Sequence, residues 1–367
     1  MNPHSERRRI NRRPMCATVI VPFHNNLDYL ARCLEALASR PPDVDVIVAS
    51  DGAPVSCARL ARQWGAHVCQ LPTRRGPAAA RNRAAAIARG EILIFVDADV
   101  VVAEGAVAAM VSRFREDDGI AAVFGSYDDH PGAPGYFSQY KNLAHAFVHR
   151  TAAVDVPTFW AGFGGIRAAV FRAVNGFDES YTRPCIEDIE LGTRLAAGGW
   201  RTVVDPSLQA CHLKPWTFVS MVRSDIRDRA IPWTRLILQS RQFPAALNID
   251  WRARASVALC WTAIICLLYS LRVPAALTIA ALAVATTLWL NRTFYAFLAS
   301  RRGAMFAVAG SAVHLVYHLY SGLSFVIAAA DLRTPGRGIN VDPGERVAAP
   351  ASYRGGVNSR HATRGTR

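Results

Sequence analysis

Ile92-Leu-Ile-Phe-Val-Asp-Ala-Asp99 is the stretch on which the reading of this chain turns. Five apolar residues, a length typical of a strand rather than a helix, run without a break into two carboxylates one residue apart. A short continuous apolar run fits a strand buried on both faces. Strands of that kind belong to parallel sheets covered by helices, in which ligands sit beyond the carboxyl ends of the strands. Asp97 and Asp99 stand at that end.

The preceding residues repeat the pattern. Ala17–Val21 is a β-branched run ended by Pro22, and Leu27–Ala38 carries Leu30, Cys33, Leu34 and Leu37 at helical spacing. Val44–Ala49 is a second strand, closed by Ser50-Asp51-Gly52; Ala58–Trp64 is helical, His67–Leu71 is a third strand, and Gly76–Ala88 is an Ala/Arg helix. This β-α-β alternation predicts an α/β fold with a mostly parallel sheet flanked by helices. Further on the pattern is less regular. Ile120–Gly125, Thr202–Val204 and Leu208–His212 read as strands. Trp160-Ala-Gly-Phe-Gly-Gly-Ile-Arg167 reads as a Gly-rich turn before a short helix, and Glu187-Asp188 opens a helix with Ile189, Leu191 and Leu195 as its apolar face.

Charge distribution separates the C-terminal third. Charged residues are 19% of the chain, yet 255–330 is nearly free of them. Ala255–Leu271, Val273–Leu290 and Ala304–Ala330 each approach the length that spans a ~30 Å hydrocarbon core. Arg252 and Arg254 precede the first, and Arg292, Arg301 and Arg302 separate the last two. The positive-inside rule then predicts a multi-pass membrane protein with its N-terminal domain in the cytoplasm. Three spans would place the Arg-rich tail outside, against the same rule, so either the last segment is re-entrant or the tail is an exception. Trp216, Phe218, Met221, Val222, Ile226, Trp233, Leu236 and Ile237, interleaved with arginines, describe an interfacial helix that Pro232 should break or kink. The net charge of +14 suits an anionic membrane surface or phosphorylated ligands better than nucleic acid, for which charge alone speaks. The eight cysteines include no Cys-x-x-Cys pair, so a zinc knuckle is unsupported. The apolar stretch after the N-terminal arginines, Cys16 to Phe23, is short and broken by Pro22, a strand rather than a signal peptide.

The expected organisation is a basic arm at 1–15, a catalytic domain at 16–214, an interfacial helix region at 215–250, two or three transmembrane helices at 251–330 and a polar, disordered tail at 331–367. Paired carboxylates after a buried strand suit a hard divalent cation, Mn²⁺ or Mg²⁺, that takes carboxylate and diphosphate oxygens together. Asp51, after the second strand, can accept a hydrogen bond from a nucleobase or ribose, or simply form an Asp-Gly turn.

Val19-Ile-Val-Pro-Phe-His-Asn25, Ser50-Asp51-Gly52, Gly76-Pro-Ala-Ala-Ala-Arg-Asn82, Phe95-Val-Asp-Ala-Asp99 and Glu187-Asp188 occur in the order and rough spacing of family 2 glycosyltransferases with the GT-A fold. The resemblance covers roughly residues 17–240. It implies an inverting, metal-dependent transfer from a nucleotide-diphosphate sugar, here to a lipid-linked or other membrane acceptor. Residue by residue, Pro22, Phe23, Asp51, Arg81 and Asp97 resemble the family's nucleotide-sugar contacts, and Asp97, Asp99 and His212 its metal ligands. Asp188 resembles the general base, with Glu187 beside it. Trp160, Gly162 and Arg167 resemble the acceptor-side loop. Arg227, Arg229 and Trp233 are similar to the Q-x-x-R-W motif of processive synthases, but the Gln is missing and Pro232 precedes the Trp, which speaks against processivity; the arginines then suit an acceptor phosphate. The competing readings are a processive polysaccharide synthase, for which the membrane region is short, a nucleotidyltransferase, which would release diphosphate, and an inactive membrane scaffold, against which the intact Asp51, Asp97, Asp99 and Asp188 argue.

Overall fold

The computed structural model describes residues 15–240 and 250–331. The expected basic arm, apart from Met15, and the tail after Asp331 lie outside these residues. The first half alternates as its sequence predicts: β1 (Ala17–Phe23), α1 (Leu27–Leu37), β2 (Val44–Asp51), α2 (Val55–Gln63), β3 (His67–Leu71), α3 (Pro77–Ile87) and β4 (Ile92–Val96). All five residues of β4 are buried. The helix α1 presents Leu30, Cys33, Leu34 and Leu37 inward, and Asn26 caps it by accepting from the Tyr29 N–H.

Next come β5 (Val100–Val102), α4 (Ala106–Glu116), β6 (Ala122–Tyr127), α5 (Tyr136–Thr151), β7 (Phe163–Arg167), α6 (Ala168–Ala173), α7 (Glu187–Ala197) and β8 (Thr202–His212). One eight-stranded sheet has the order β3-β2-β1-β4-β7-β6-β8-β5. Strands β7 and β5 run against the others, so the sheet is mixed with a parallel majority.

Two predicted details are corrected. Phe163-Gly-Gly-Ile-Arg167 is an antiparallel strand wedged between β4 and β6, not a turn. Its glycines leave room for Phe159 at Gly164 and Met110 at Gly165, so the strand packs without side chains of its own at its centre. The two predicted strands around Pro206 are one, β8, which absorbs the proline in an irregularity opposite Phe124 and Ser126.

After the sheet, α8 (Phe218–Ser224) passes through a π-helical segment, Asp225–Ala230, into α9 (Ile231–Ser240). The wide turn directly precedes Pro232, whose missing N–H and ring crowd the preceding turn; it takes up the break expected there. Four further helices follow: α10 (Trp251–Tyr269), α11 (Ala276–Leu290), α12 (Arg292–Arg302) and α13 (Ala304–Asp331). Helices α10 and α13 are long and apolar enough to cross a membrane, and α11 and α12 make a pair bent by 62°. These helices are packed onto the sheet domain. Tyr140 and Leu143 of α5 share a buried cluster with Met221, Phe294, Leu298 and Ala307. Asp129 receives Arg150 (2.8 Å) and Arg301 (3.2 Å).

Candidate active site

The carboxyl ends of β1, β2 and β4 open onto a cavity of about 1610 Å³ that continues between α5, the π-helical segment and α13. Pro22 and Phe23 close β1, Asp51 closes β2, and Asp97 and Asp99 follow β4; all five line the cavity.

Asp51 is 4% exposed, and its carboxylate accepts from the Arg75 N–H (2.6 Å) and the Gly76 N–H (2.9 Å). The aspartate thus fixes the loop that enters α3, whatever ligand it also meets. Helix α3 in turn delivers Arg81, which is 3% exposed. Arg81 Nη1 donates to Glu187 Oε1 (2.8 Å) and Nη2 to Asp97 Oδ1 (2.6 Å), while its guanidinium lies over the Phe177 ring at 5.3 Å. Arg81 lines the cavity, and there both of its terminal nitrogens bond carboxylates.

Glu187 is similarly occupied. Its Oε1 takes Arg81, its Oε2 accepts from the Cys185 N–H (2.8 Å), and the residue is 4% exposed. It orders the turn into α7 and also lines the cavity. Asp188, one residue on, lines the cavity. It accepts from the Ala161 N–H (3.1 Å) and the Ile189 N–H (2.8 Å). Burial, and behind it the charge of Glu187, pushes its pKa up to about 6, against the Ala161 N–H and the charges of Arg81 and Arg229. A carboxylate so placed is a base with an affinity for protons near working pH.

Asp99 and His212 meet because β5 pairs antiparallel with β8, Val100 opposite His212. Asp99 Oδ2 and His212 Nε2 are 3.5 Å apart. Burial alone would raise Asp99, but the His212 hydrogen bond and charge, with Lys214, hold its carboxyl below the ordinary range. Tyr127 stacks on His212 at 4.7 Å with an interplanar angle of 11°, fixing the imidazole. This donor set suits a hard divalent cation: one ionised carboxylate with an imidazole beside it, and the unbonded Oδ2 of Asp97 nearby. Among the described residues no group of three His, Cys, Asp or Glu side chains is arranged to hold a metal ion, so bound phosphate and water would have to complete its shell.

Trp160 lines the cavity, edge-on to Tyr127 (4.8 Å) and beside His145 and His149 (both 5.2 Å). Burial depresses His145 well below the ordinary imidazole range and His149 to about 4, so both are neutral. Gly162 does not face the cavity. It lies under the Trp160 ring, where a Cβ would come within 2.6 Å of three indole atoms, and its carbonyl accepts from the Asp97 N–H (3.2 Å). Arg167 is a correction: it sits at the far end of β7, paired with Ile92, and donates to the Phe114 and Ile120 carbonyls (both 2.8 Å). Arg229 and Trp233 line the cavity; Arg227 is exposed outside it and lends its carbonyl to Arg183 (3.3 Å).

The sequence reading missed α5 altogether, and with it His145, His149 and Lys141. His145 and His149 stand at i and i+4 on one helical face, a signal legible once 136–151 is read as a helix. Lys141 and the Tyr320 hydroxyl (2.7 Å) both bond the buried Asp225, a contact between distant elements that no local pattern announces.

Residues 18–174 match the model of the family described as glycosyl transferase family 2. The chain is 24% identical over 160 residues to glycosyltransferase GlyG of Streptococcus pneumoniae, covering 42% of this chain and 53% of that protein. It is 29% identical over 211 residues to the pre-mycofactocin glycosyltransferase of Mycobacterium tuberculosis, covering 53% of this chain and 42% of that protein. The chain thus spans about half the length of the curated relatives it matches. A mannosyltransferase from Pyrobaculum calidifontis, solved with GDP-Man and Mn²⁺, shares the fold with a TM-score of 0.50 at 20% identity over 86% of each chain. The sheet domain has the GT-A fold, and most of it, residues 18–174, is what matches the glycosyl transferase family 2 model.

Proposed function

We propose that this protein is a glycosyltransferase that moves a sugar, with inversion, from a nucleotide-diphosphate donor to an acceptor held at a membrane. The observation that carries the reading is the placement of Asp188, a cavity-lining carboxylate with a raised pKa, in the same cavity as Asp97, Asp99 and the ends of β1 and β2.

The donor's base and ribose fit against Pro22, Phe23 and the edge of Asp51. Asp99 and His212, with the free oxygen of Asp97, would hold a divalent cation. Bound there, the cation would neutralise charge on the departing nucleoside diphosphate. Asp188 takes the proton of an acceptor hydroxyl as that oxygen bonds to the anomeric carbon, from the face opposite the departing diphosphate. The Ala161 and Ile189 N–H groups keep Asp188 oriented through this step. Trp160 offers a wall for the sugar, and Arg229 a cation for an acceptor phosphate. The apolar helices α10 to α13 keep this chemistry beside an acceptor that stays in the bilayer.

Full-length protein in detergent, given Mn²⁺ or Mg²⁺ and a panel of nucleotide sugars, should release nucleoside diphosphate from one donor. Asp188→Asn should bind that nucleotide with unchanged affinity and lose turnover by about 10³-fold, while Asp99→Asn should lose the metal-dependent part of the binding. Transfer retained by Asp188→Asn would remove it as the base, and release of diphosphate instead of nucleoside diphosphate would replace the reaction class.

A further inference from the structure

Helix α13 has the length and composition of a membrane span, 28 residues ending at Asp331. Its contacts argue otherwise. A spanning helix puts its ends on opposite sides of a ~30 Å core, so a domain in water can hold only one of them. The catalytic domain, together with the α8–α9 segment packed on it, holds α13 near both ends and in between.

Near the start, the Tyr136 hydroxyl of α5 donates to the Phe306 carbonyl (3.4 Å), and Gly310 lies against Tyr140. Past the middle, the Tyr320 hydroxyl donates to Asp225 (2.7 Å), which also takes Lys141 of α5. At the end, Asp331 pairs with Arg235 of α9. Helix α9 is itself seated on the catalytic domain, with Leu236 and Trp233 packed on Tyr181, Ile186 and Ile189, immediately around the catalytic carboxylates. From Phe306 to Asp331 the helix rises about 37 Å at ~1.5 Å per residue. Over that whole distance it stays one helix away from the sheet domain.

The two faces of α13 differ accordingly. His314, Tyr317, His318, Tyr320 and Ser321 line the cavity, and both ring nitrogens of the fully buried His318 lack a protein partner. The outer face shows Met305 (89% exposed), Val308 (71%), Phe325 and Val326. The hairpin of α10 and α11 is different again. Its base is pinned by Asn291 donating to Ser256 (2.8 Å), with Arg252, Arg254 and Arg292 close by in sequence. Towards its tip, Leu268, Leu271 and Leu282 are bare.

We propose that α13 lies in the plane of the membrane interface, as the floor of the catalytic cavity, with its outer face on lipid. The α10–α11 hairpin alone enters the hydrocarbon, and the chain beyond Asp331 emerges on the same side as the catalytic domain. The proposal rests on the membrane reading given above. It removes the conflict between three spans and an Arg-rich tail, because a hairpin returns the chain to its starting side. It also brings an acceptor to Asp188 at headgroup depth, between lipid and the polar face of α13, with no channel.

Sidedness tests this directly. The full chain would carry one protease-cleavable reporter before Met1 and another after Arg367, in sealed inverted membrane vesicles. Cleavage of both reporters without detergent is the expected result. Cleavage of the first alone, with the second cut only after detergent, would show that α13 crosses the bilayer and would overturn the proposal while leaving the membrane reading intact. Recovery of the protein in the soluble fraction before any protease is added would overturn the membrane reading itself, and with it the in-plane helix.

Discussion

Arg81 and Glu187 are 106 residues apart in the chain, and their side chains meet at 2.8 Å with 4% and 6% of their surface exposed. Through Arg81 the same ion pair reaches Asp97 at 2.6 Å. One guanidinium thereby sets the distance between the carboxylate cluster after β4 and the start of α7, where Asp188 sits. It gives the two halves of the site a common origin.

Losing that tie should cost more activity than its position outside the reacting atoms suggests. Arg81→Met strands the buried Glu187 and should destabilise the fold by about 3–5 kcal/mol. Arg81→Lys keeps the charge but cannot span both carboxylates with one ammonium, so stability should fall less while transfer drops at least tenfold. Thermal unfolding and nucleoside diphosphate release on the same preparations separate the two. Equal losses of both quantities in the Lys variant would reduce Arg81 to a packing role.

The raised pKa of Asp188 fixes a pH dependence. In its proposed role as the base, Asp188 would work ionised, so kcat/KM should fall tenfold per pH unit below about 6 and level off above it. Stability runs the other way. The folded-state value lies above that of the unfolded chain, so the favourable contribution of the protonated carboxyl is complete at low pH and is lost as pH rises through about 6. Asp188→Asn should therefore melt higher than the native protein at pH 8 and show no difference near pH 3. A pH-rate profile without the inflection near 6 would reassign the base.

Gly162 sits 2.6 Å, measured from an ideal Cβ, below the Trp160 indole. Gly162→Ala should therefore push the ring toward the cavity and cost about 1–3 kcal/mol by overpacking. Because the Gly162 carbonyl also holds the Asp97 N–H, nucleotide affinity should weaken along with acceptor use. Calorimetric titration with the nucleoside diphosphate reads this; unchanged affinity and stability would show that the ring can move freely.

Much of the fold was legible because its signals are local. Short runs of five or six residues closed by Asp, Gly or Pro marked β1 to β4, and spacing of three and four marked α1, with bounds close to those observed. The candidate carboxylates at the ends of β2 and β4 line the cavity for the same reason: where a strand stops is written in its own residues. Local grammar failed where a neighbour sets the conformation. The glycines of β7 look like a turn until Phe159 and Met110 occupy the space above and below them. Helix α5 carries aromatic and histidine rings on both its cavity and helix-facing sides, so it shows no clean apolar stripe.

By itself, then, the sequence determined the α/β order, the carboxylates at the strand ends and the three apolar segments near the C-terminus, because each depends on residues within a few positions of one another. Tertiary structure alone decided which groups Arg81 and Glu187 bond, that Arg167 faces away from the cavity, and that α13 is held by α5 near its start and by α9 at its end. Those outcomes depend on which groups meet across 50 to 170 positions of chain, as Arg167 does with Phe114 and Tyr136 with Phe306. Hydropathy measures how apolar a helix is, and only the partners at its two ends say whether it crosses a bilayer or lies along it.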